Sequence, residues 1–489
     1  MMSSKKIFID AGFLDSQILW ILPIVDGYCK SLGINQIVFQ RELSKDLQNE
    51  IYIQSFFKKY KIYYLENKKN RLIFKLIIFC LSIIVFPFLF IFNSRKSLLK
   101  NKNWFQTQVQ HALWDTSLSF NKDGELSRGP IVLFKSSFLI LYNLFLVTIL
   151  KKSHDLHSCF LSHSVYQGRI FLASLRSNTI TFCQSAFNLY KQPKKFDESW
   201  SILKNTKTLK LLLKKISNHE TKKYWINRIS GKGKYYESNF INKFKNKDLK
   251  KNINVLMLHV FRDSSFNFID NNRIFSDYID WVYTTLKILK NSTDKWYIRY
   301  HPFASRWGEN SSEFINEIFR KLEIEPNKFE ILNNEISNNL IFKNAKKIVT
   351  YSGTAFIEFA SYGKKAIIIS DVMPRKLQNI LAIKPKSLEV YKKLLLNNIK
   401  KSNLSLSNKE VNLAKKLIYC RENITNLSTD TGGYFIYRND KISTRKQEYK
   451  NVKQKVKNNS AFFMYLGKKF TKKNFTHSIS SKFIDKIFK

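Results

Sequence analysis

The feature that most constrains the fold is an alternation of short β-branched and aromatic runs with helical segments, in which two of the runs end in distinctive polar groups. Residues 296–302 have the sequence WYIRYHP, and residues 348–358 have the sequence IVTYSGTAFIE. Runs of this kind are typical of buried parallel strands. Because open α/β sheets bind their ligands at the carboxyl ends of the strands, both polar ends are expected beside a ligand.

The second strand end has residue types that suit an anion. Gly353 permits a close approach of the backbone, and Ser352 and Thr354 offer hydroxyl groups. The helix predicted from about residue 355 would direct free N–H groups and the positive end of its dipole toward the ligand. Glu358 lies about one turn inside that helix, where it would accept hydrogen bonds from a ribose. The pattern predicts a site for a phosphate-bearing nucleotide.

The length of 489 residues exceeds one ordinary core and predicts two α/β domains, or one domain with a large appendage. The five cysteines are scattered without metal-ligand spacing, which is typical of reduced cysteines in a cytosolic protein. The first strand pattern begins shortly after Met1, without the apolar region and cleavage site of a signal peptide.

The formal net charge of +46 would suit a nucleic-acid-binding protein, but we give more weight to a bias in amino-acid composition as its cause. The excess is mostly lysine and accompanies frequent Asn, Ile and Phe, a bias that an AT-rich coding sequence produces by itself. Zinc-finger spacing, an RNP-type aromatic motif and basic-region heptads are all missing from the sequence. We therefore expect no nucleic-acid partner, and we expect the charge to favour an anionic membrane surface.

Two apolar runs interrupt the alternation in the N-terminal half. Residues 72–92 contain a single charge, at Lys75, and residues 131–150 are interrupted by Lys135 and Asn143. Both runs are long enough to cross a bilayer. Strands precede the first run and resume after the second, so spanning helices would divide one sheet with a membrane. We expect helices that dip into or lie on the cytoplasmic leaflet, with spanning helices and buried core helices as alternatives.

These patterns divide the chain into four regions. An N-terminal Rossmann-like domain is predicted over residues 1–195, with an apolar helical insertion at residues 70–150. A helical connector follows over residues 196–250, and a second Rossmann-like domain over residues 251–408 contains both polar strand ends. Residues 409–489 are predicted to form a basic helix and a partly disordered tail.

Four segments of the second predicted domain resemble one enzyme family. They are HVFRD at residues 259–263, FSDYIDW at residues 275–281, the pair His301 and Pro302, and TYSGTAFIE at residues 350–358. Over about residues 250–375 the chain resembles the capsular polysaccharide biosynthesis glycosyltransferases of the Kdo-transferase type. It has a weaker likeness to the CDP-glycerol glycerophosphotransferases.

The resemblance implies a GT-B architecture, in which two Rossmann-like domains face each other across a cleft and the C-terminal domain holds a nucleotide-sugar donor. It implies an inverting transfer of a sugar from a CMP- or UDP-linked donor to a growing capsule or lipopolysaccharide glycan. The acceptor would be a glycan or a lipid-linked glycan at the cytoplasmic membrane face. The donor phosphate would be held by His301 with Pro302 and by the turn of Ser352, Gly353 and Thr354, and the ribose by Glu358.

The resemblance also implies that the enzyme needs no cofactor and no essential metal. No DxD motif follows a strand in the second predicted domain. Cationic and dipolar groups would then stabilise the leaving phosphate, with Arg262 or Arg299 as helpers. The loop with Arg262 and Asp263 would either contact the donor phosphate or cap the following helix.

An inverting transfer needs a base within hydrogen-bond distance of the acceptor hydroxyl, and in this architecture the base normally comes from the N-terminal domain. The candidates are Asp10 at the end of the first strand, His163 at a later strand end, and His111 and Asp115 on one helix face. Asp263 is a further candidate. Each has a structural alternative, because Asp10 would also cap a loop and His111 would also form a simple hydrogen-bonded pair with Asp115.

Other functions stay open at this level. A polyol-phosphate transferase would use a CDP-activated donor at the same strand ends. A sugar-nucleotide 2-epimerase is less favoured, because its chemistry needs several further carboxylates that the pattern does not place. A non-catalytic scaffold at the membrane would retain the fold without using it.

Overall fold

The structure is a computed structural model, and it describes most of the chain. The described residues are 5–13, 15–92, 104–162, 166, 168–175, 178–185, 188–191, 206–229, 249–264, 274–302, 304–305, 308–333, 336–371, 373, 375–397, 404–424, 442–472, 475 and 478–480. The chain divides into two units. Unit 1 comprises Met1–Phe120, Arg128–Ile202 and Thr425–Lys489, and unit 2 comprises Asn121–Ser127 and Leu203–Ile424.

The strands in chain order are β1 (Lys6–Ile9), β2 (Gln36–Arg41), β3 (Lys61–Glu66), β4 (Leu156–Leu161), β5 (Ile180–Ser185), β6 (Asn188–Lys191), β7 (Ile253–Met257), β8 (Trp296–Arg299), β9 (Phe329–Ile331), β10 (Ala345–Thr350), β11 (Ala366–Ile368) and β12 (Ala382–Ile383).

The helices in chain order are α1 (Asp15–Leu32), α2 (Lys45–Gln48), α3 (Ile51–Lys59), α4 (Lys68–Phe92), α5 (Trp104–Phe120), α6 (Pro130–Ser153), α7 (Gly168–Leu175), α8 (Thr206–Lys215), α9 (Asn218–Ile229), α10 (Tyr278–Leu289), α11 (Ser311–Leu322), α12 (Asn338–Asn344), α13 (Ala355–Ala360), α14 (Arg375–Leu381), α15 (Leu388–Leu396), α16 (Asn408–Tyr419), α17 (Ile442–Asn458) and α18 (Ser460–Phe470). A short 3-10 turn at Pro326–Lys328 precedes β9, and a π-helical turn at Cys420–Ile424 follows α16.

Unit 1 contains a six-stranded sheet with the strand order β3-β2-β1-β4-β5-β6. The first five strands pair in parallel, and β6 runs antiparallel to β5. The chain adds β2 and β3 on one side of β1 and then adds β4 on the other side. The order therefore reverses between β1 and β4, which is the topological switch point of a Rossmann-like sheet.

Unit 2 repeats this topology with the strand order β12-β11-β10-β7-β8-β9, and all of its strand pairs are parallel. The central strand β7 is buried along its whole length, as expected for a parallel strand covered on both faces. Its switch point lies between β7 and β10. The prediction of two α/β domains with parallel sheets is confirmed.

The two apolar runs form α4 and α6, and both helices are long and apolar enough to cross a membrane by length and composition alone. They differ in burial, since 39% of the α6 segment is buried in the structure and only 11% of the α4 segment. Residues Ile140, Leu146 and Leu150 of α6 pack with Phe8 of β1 in the core of unit 1. The structure therefore makes α6 a core helix, which was an alternative for residues 131–150, and leaves α4 largely uncovered.

The C-terminal segment differs from its prediction as an irregular tail. The helix α16 belongs to unit 2, whereas α17 and α18 belong to unit 1. The reason is packing, because α18 buries Phe463, Leu466 and Phe470. The connector predicted over residues 196–250 also differs, since its described helices α8 and α9 are part of unit 2.

The contact between α1 and α18 depends on two glycines. A Cβ atom at Gly27 would lie 1.9 Å from the carbonyl oxygen of Met464, and one at Gly467 would lie 2.0 Å from that of Ile24. Backbone atoms cannot yield as a flexible side chain can. Only glycine allows the two helices to approach this closely.

Candidate functional site

The carboxyl ends of β7, β8 and β10, three adjacent strands of unit 2, bring imidazole and hydroxyl groups together. His259 follows β7, His301 follows β8, and Ser352 follows β10. The rings of His259 and His301 stack with their centroids 5.7 Å apart and an angle of 28° between their planes. The hydroxyl of Ser352 lies 3.5 Å from Nε2 of His259. These side chains meet at the switch point, where this topology binds its ligands.

Tyr278 completes the group from the first turn of α10. Its ring lies nearly parallel to that of His259, with the centroids 4.6 Å apart and an angle of 5° between the planes. The hydroxyl of Tyr278 donates a hydrogen bond to the carbonyl oxygen of Ser264 at 3.1 Å and lies 3.4 Å from the hydroxyl of Ser352. We call Tyr278, His259, His301 and Ser352 the imidazole cluster.

The beginning of α10 holds Tyr278 in this position through a double cap. The side chain of Asp277 accepts a hydrogen bond from the backbone N–H of Asp280 at 2.8 Å. The carboxylate of Asp280 in turn accepts from the backbone N–H and the hydroxyl of Ser276 at 2.8 and 2.9 Å. This reciprocal arrangement satisfies donors that a helix leaves free at its start. The FSDYIDW segment thus acts as a cap that places a tyrosine.

The turn after β10 passes close to the imidazole cluster. A Cβ atom at Gly353 would lie 3.3 Å from the hydroxyl oxygen of Thr350 and 3.9 Å from Nε2 of His259. Thr354 is the N-cap residue of α13, and its side chain makes no capping hydrogen bond. Because α13 has only six residues, its dipole is small. The turn therefore contributes to the site mainly through its hydroxyl and backbone groups.

Burial keeps both imidazoles neutral at neutral pH. It lowers the pKa of His259 to about 4. It also lowers the pKa of His301 to about 3, an effect strengthened by His259 and opposed by the charge of Asp263. A neutral imidazole has one N–H donor and one acceptor nitrogen. Among the residues that the structure describes, Nδ1 of His259 is buried and has no hydrogen-bond partner.

The two arginines predicted as helpers are engaged elsewhere in unit 2. The guanidinium group of Arg262 forms an ion pair with Asp123 at 2.6 Å and also donates to the carbonyl oxygen of Gly308. Arg299 is 2% exposed and donates to backbone carbonyl oxygens of Leu332, Asn333 and Ile336. Burial lowers the pKa of Arg299 to about 10. Both side chains hold loops of unit 2 in place.

Asp263 and Pro302 adjoin the imidazole cluster without joining it. Asp263 accepts a hydrogen bond from the backbone N–H of Ser264 at 2.7 Å, and its charge raises the pKa of His301. Pro302 directly follows His301 in a turn. The helix that follows this loop, α10, has Asp277 and not Asp263 as its N-cap residue.

Glu358, predicted to bind a ribose, pairs with an arginine in this structure. Its Oε1 lies 3.1 Å from Nη2 of Arg228 on α9, and Nη1 of Arg228 lies 3.0 Å from Oε2 of Glu422. Tyr224 donates a hydrogen bond to the same Glu422. Burial raises the pKa of Glu358, and the charge of Arg228 opposes that shift. One arginine thus compensates two carboxylates, and the role of Glu358 toward a ribose stays a prediction.

The switch point of unit 1 presents a carboxylate. Asp10 follows β1 and is 6% exposed. Its Oδ2 accepts hydrogen bonds from the backbone N–H and the hydroxyl of Ser162, both at 3.0 Å, and its Oδ1 accepts one from the N–H of Gly12 at 3.1 Å. Burial raises the pKa of Asp10 to about 6, although these hydrogen bonds and the charge of Arg41 oppose the shift.

A row of polar side chains that the sequence did not single out continues from Asp10 along the same edge. Gln40 accepts from the backbone N–H of Ala11 at 3.0 Å and donates to Glu66 at 2.8 Å. Glu66 also accepts from the hydroxyl of Tyr142 at 2.8 Å. Gln40 and Glu66 lie at the carboxyl ends of β2 and β3, so their position at strand ends was the available signal.

The other candidate bases have different surroundings. His111 and Asp115 lie on α5 and are 5% and 0% exposed. Arg169 approaches both, with its Nη1 3.5 Å from Nδ1 of His111 and its Nη2 3.8 Å from Oδ2 of Asp115. Arg169 also donates to Gln108 at 3.1 Å. This burial favours a structural role, and His163 lies outside the described residues.

No group of three or more His, Cys, Asp or Glu side chains that could hold a metal ion occurs in the described part of the chain. The imidazole cluster of unit 2 offers imidazole, hydroxyl and backbone groups for hydrogen bonding. The switch point of unit 1 offers the buried carboxylate of Asp10.

No protein-family model matches the chain, and no curated protein sequence matches it. The solved structures that align with it include a UDP-GlcNAc 2-epimerase from Neisseria meningitidis bound to UDP-GlcNAc, with 10% identity, coverage of 85% of this chain and 98% of that chain, and a TM-score of 0.24. They also include Anabaena HepE in complex with UDP and glucose, with 8% identity, coverage of 94% and 100%, and a TM-score of 0.27. A glycosyltransferase from Rickettsia africae aligns with 13% identity, coverage of 96% and 97%, and a TM-score of 0.22. TM-scores this low carry no argument about fold or function.

Proposed function

We propose that the protein is a glycosyltransferase of the GT-B type that uses a nucleotide-activated sugar. The observation that carries the proposal is the imidazole cluster at the switch point of unit 2. Two neutral imidazoles, a serine hydroxyl and a glycine-containing turn converge there from three adjacent strands. These groups donate hydrogen bonds to a diphosphate without requiring a fixed positive charge.

The cluster is also suited to the chemical change in the donor. As the bond to the sugar breaks, negative charge grows on the leaving phosphate, and donors already aimed at it stabilise that charge more than they stabilise the bound substrate. A buried Nδ1 without a partner among the described residues offers unused hydrogen-bonding capacity at this position. We propose that the CMP or UDP part of the donor binds here, without a metal ion.

For the acceptor we propose the carboxyl edge of the unit 1 sheet, with Asp10 as the base of an inverting transfer. A pKa of about 6 leaves this carboxyl group ionised at neutral pH while making it a better proton acceptor than an ordinary aspartate. The hydrogen bonds from Ser162 and Gly12 fix its orientation. The acceptor that fits the whole proposal is a surface glycan, of the capsule or lipopolysaccharide class, at the cytoplasmic membrane face.

The experiment is a binding screen of UDP, CMP and their sugar-linked forms, with CDP-glycerol included, by thermal shift and then by calorimetry. We expect one nucleotide class to raise the melting temperature. We expect the substitution His301→Ala to weaken binding at least about tenfold, because a hydrogen bond to a charged group is worth about 1.5–3 kcal/mol.

The matched control is His219→Ala, which removes an exposed imidazole from α9 of the same unit. It should leave nucleotide affinity unchanged. If the folded protein binds none of the nucleotides, the donor-site proposal fails and the scaffold alternative takes its place. Preferential binding of CDP-glycerol would instead assign the polyol-phosphate reaction.

A further inference from the structure

The outer surface of α4 is the largest concentration of exposed apolar side chains on the described part of the chain. Eight of the eighteen large hydrophobic residues that are exposed there lie on this helix, and each is between 44% and 64% exposed. They define the α4 outer face: Leu72, Ile73, Leu76, Ile77, Phe79, Leu81, Ile83 and Ile84. A cluster of this size on a soluble surface indicates an interaction site.

The inner side of α4 rests on α6. Phe74 packs against Phe145 and Phe86 against Phe134, with ring centroids 5.1 and 5.5 Å apart. Phe79 lies at the border of the outer face and also contacts Phe134, at 5.8 Å. The contact at Phe74 lies near the end of α6 and that at Phe86 near its beginning, so the helices run antiparallel. They lie side by side over about 18 Å, at 1.5 Å per residue.

This contact fixes how α4 can meet a bilayer. The other side of α6 packs on the sheet, where Ile140, Leu146 and Leu150 contribute to the core with Phe8. A bilayer-spanning α4 would carry the attached α6 and the edge of the sheet into the hydrocarbon layer. Backbone groups and charges of unit 1 have no partners in that layer. A helix lying in the plane of the membrane leaves α6 and the sheet in water.

The width of the α4 outer face distinguishes a bilayer from a protein partner. At 100° per residue its eight side chains cover an arc of roughly 200° around the helix. A helix that docks on one protein surface buries an apolar stripe about 100° wide. α6 already covers one such stripe, and a second copy or another protein would leave much of the remaining arc exposed. A lipid phase covers it all.

The charge around α4 is complementary to an anionic headgroup layer. The sequence from residue 67 to residue 103 contains eight basic residues and no Asp or Glu. Seven of the eight lie outside the apolar run, at its two ends, and the eighth is Lys75. Basic residues that flank an apolar helix attract anionic lipids and hold the helix at the depth of the headgroups.

We infer that α4 is an in-plane membrane helix, which inserts its outer face into the headgroup and upper acyl region of an anionic bilayer and docks unit 1 there. α6 takes no part in this insertion. The inference deepens the membrane-surface part of the proposed function, but it stands on the geometry of α4 and not on nucleotide binding. The sequence left two apolar helices and three arrangements open, namely on the leaflet, across the bilayer or in the core. The inference assigns α4 alone to the membrane, lying in its plane.

The chain provides its own probe. Cys80 lies at the middle of α4 and is exposed, whereas the other four cysteines are buried. An environment-sensitive NBD fluorophore on Cys80 should shift its emission to the blue when vesicles of phosphatidylcholine with phosphatidylglycerol are added without nucleotide. Vesicles of phosphatidylcholine alone should require at least about tenfold more lipid, because the flanking charges lose their partners.

Brominated lipids distinguish the orientations. An in-plane helix places Cys80 near the headgroups, so bromine high on the acyl chain should quench the fluorophore more than bromine near the chain end. A spanning helix would place Cys80 near the bilayer centre and reverse this order, which would overturn the inference.

Variants complete the test. Leu76→Glu with Ile83→Glu on the outer face should weaken vesicle binding at least about tenfold, since charged groups are costly in the acyl region. The matched control Ile51→Glu alters an 84% exposed apolar residue on α3 of the same unit and should change nothing. No response to vesicles, or a shift that depends only on protein concentration, would overturn the inference, the latter in favour of a second copy. Nucleotide binding, measured separately, would remain unaffected by either result.

Discussion

The switch points of the two units have the same strand topology and opposite chemistry. In unit 1 the edge carries Asp10, whose carboxylate accepts three hydrogen bonds, and Glu66, which accepts two more from Gln40 and Tyr142. In unit 2 the edge carries His259 and His301, which burial keeps neutral, with the hydroxyl of Ser352 beside them.

In such sheets the topology sets where a ligand is expected to bind. The difference between the two units lies in the residues just after the strands, which we expect to select the ligand. A carboxylate edge repels phosphate but accepts protons and sugar hydroxyl groups. An edge of imidazole and hydroxyl groups can donate hydrogen bonds to phosphate oxygens. In the proposed function, a duplicated Rossmann-like topology would serve the donor in one unit and the acceptor in the other.

The largest expected effect concerns the carboxylate edge. Asp10→Asn should lower the rate of sugar transfer about 10²–10⁴-fold, because the asparagine cannot take a proton from the acceptor. The affinity for the nucleotide should stay within about twofold of that of the unaltered protein, since the residues proposed to bind the nucleotide belong to unit 2. In the unaltered protein the rate should fall as the pH drops below about 6, where Asp10 becomes protonated.

Asp155→Asn is the matched control, because it alters an exposed aspartate just before β4, at the amino edge of the same sheet. Its transfer rate should equal that of the unaltered protein. A rate above one tenth of normal in Asp10→Asn would remove Asp10 as the base and direct attention to His163.

The next effect concerns a contact of unit 1, in which α18 packs on α1, the helix after the first strand. Gly27 of α1 lies at this contact. Gly27→Ala should lower the free energy of unfolding by about 1–3 kcal/mol, although alanine favours a helix, because its Cβ would collide with the backbone of Met464. Urea unfolding measures the change. Gly129→Ala, where no atom lies within 4 Å of the new Cβ, should cost only about 0.5–1 kcal/mol, because glycine is preferred to alanine at this N-cap position of α6.

The smallest effect concerns the imidazole edge and protons. The pKa values of His259 and His301 lie below their ordinary value, and a bound phosphate should raise them again because it favours the charged imidazole. Binding should therefore take up protons, and affinity should rise as the pH falls from about 7 to 5, by about tenfold over this range for an imidazole whose pKa returns to near its ordinary value.

The measurement is calorimetry of the nucleotide sugar in two buffers with different ionisation enthalpies. A nucleotide sugar is preferable to a free nucleotide, because its phosphodiester groups do not titrate in this range. His301→Gln should reduce the number of protons taken up, whereas His219→Ala should not. Proton release on binding, or an affinity independent of pH, would contradict the role of the imidazoles.

Much of the fold was predictable from the sequence, because parallel strands covered on both faces appear as continuous apolar runs. The strands β8 and β10 were each predicted to within a few residues. The C-terminal helices were not, since α17 is strongly polar and α18 is an apolar segment of only eleven residues. Their stability comes from packing on a helix more than 400 residues earlier in the sequence, which no local pattern contains.

The candidate site was predictable in part for a similar reason. His301 and Ser352 stand beside Pro302 and Gly353, so that each forms a local motif. His259 ends a strand without such a neighbour, and its stacking with Tyr278 joins segments almost twenty residues apart. The pairing of Glu358 with Arg228 joins segments far more distant. Sequence patterns identify polar groups at strand ends, but they do not identify the distant residues that stack on those groups or pair with them.

The return of α18 to α1 has a consequence for synthesis on the ribosome. Domains usually fold in the order in which they are made. Here the last residue of unit 2 is Ile424, whereas α18 ends at Phe470, so unit 2 can be complete while Gly27 still lacks its covering helix. At 5–20 residues per second the interval lasts roughly 2 to 9 seconds. Unit 1, although it begins at the N-terminus, is thus the last unit to be completed. Until α18 has been synthesised, the surface of α1 around Gly27 stays uncovered.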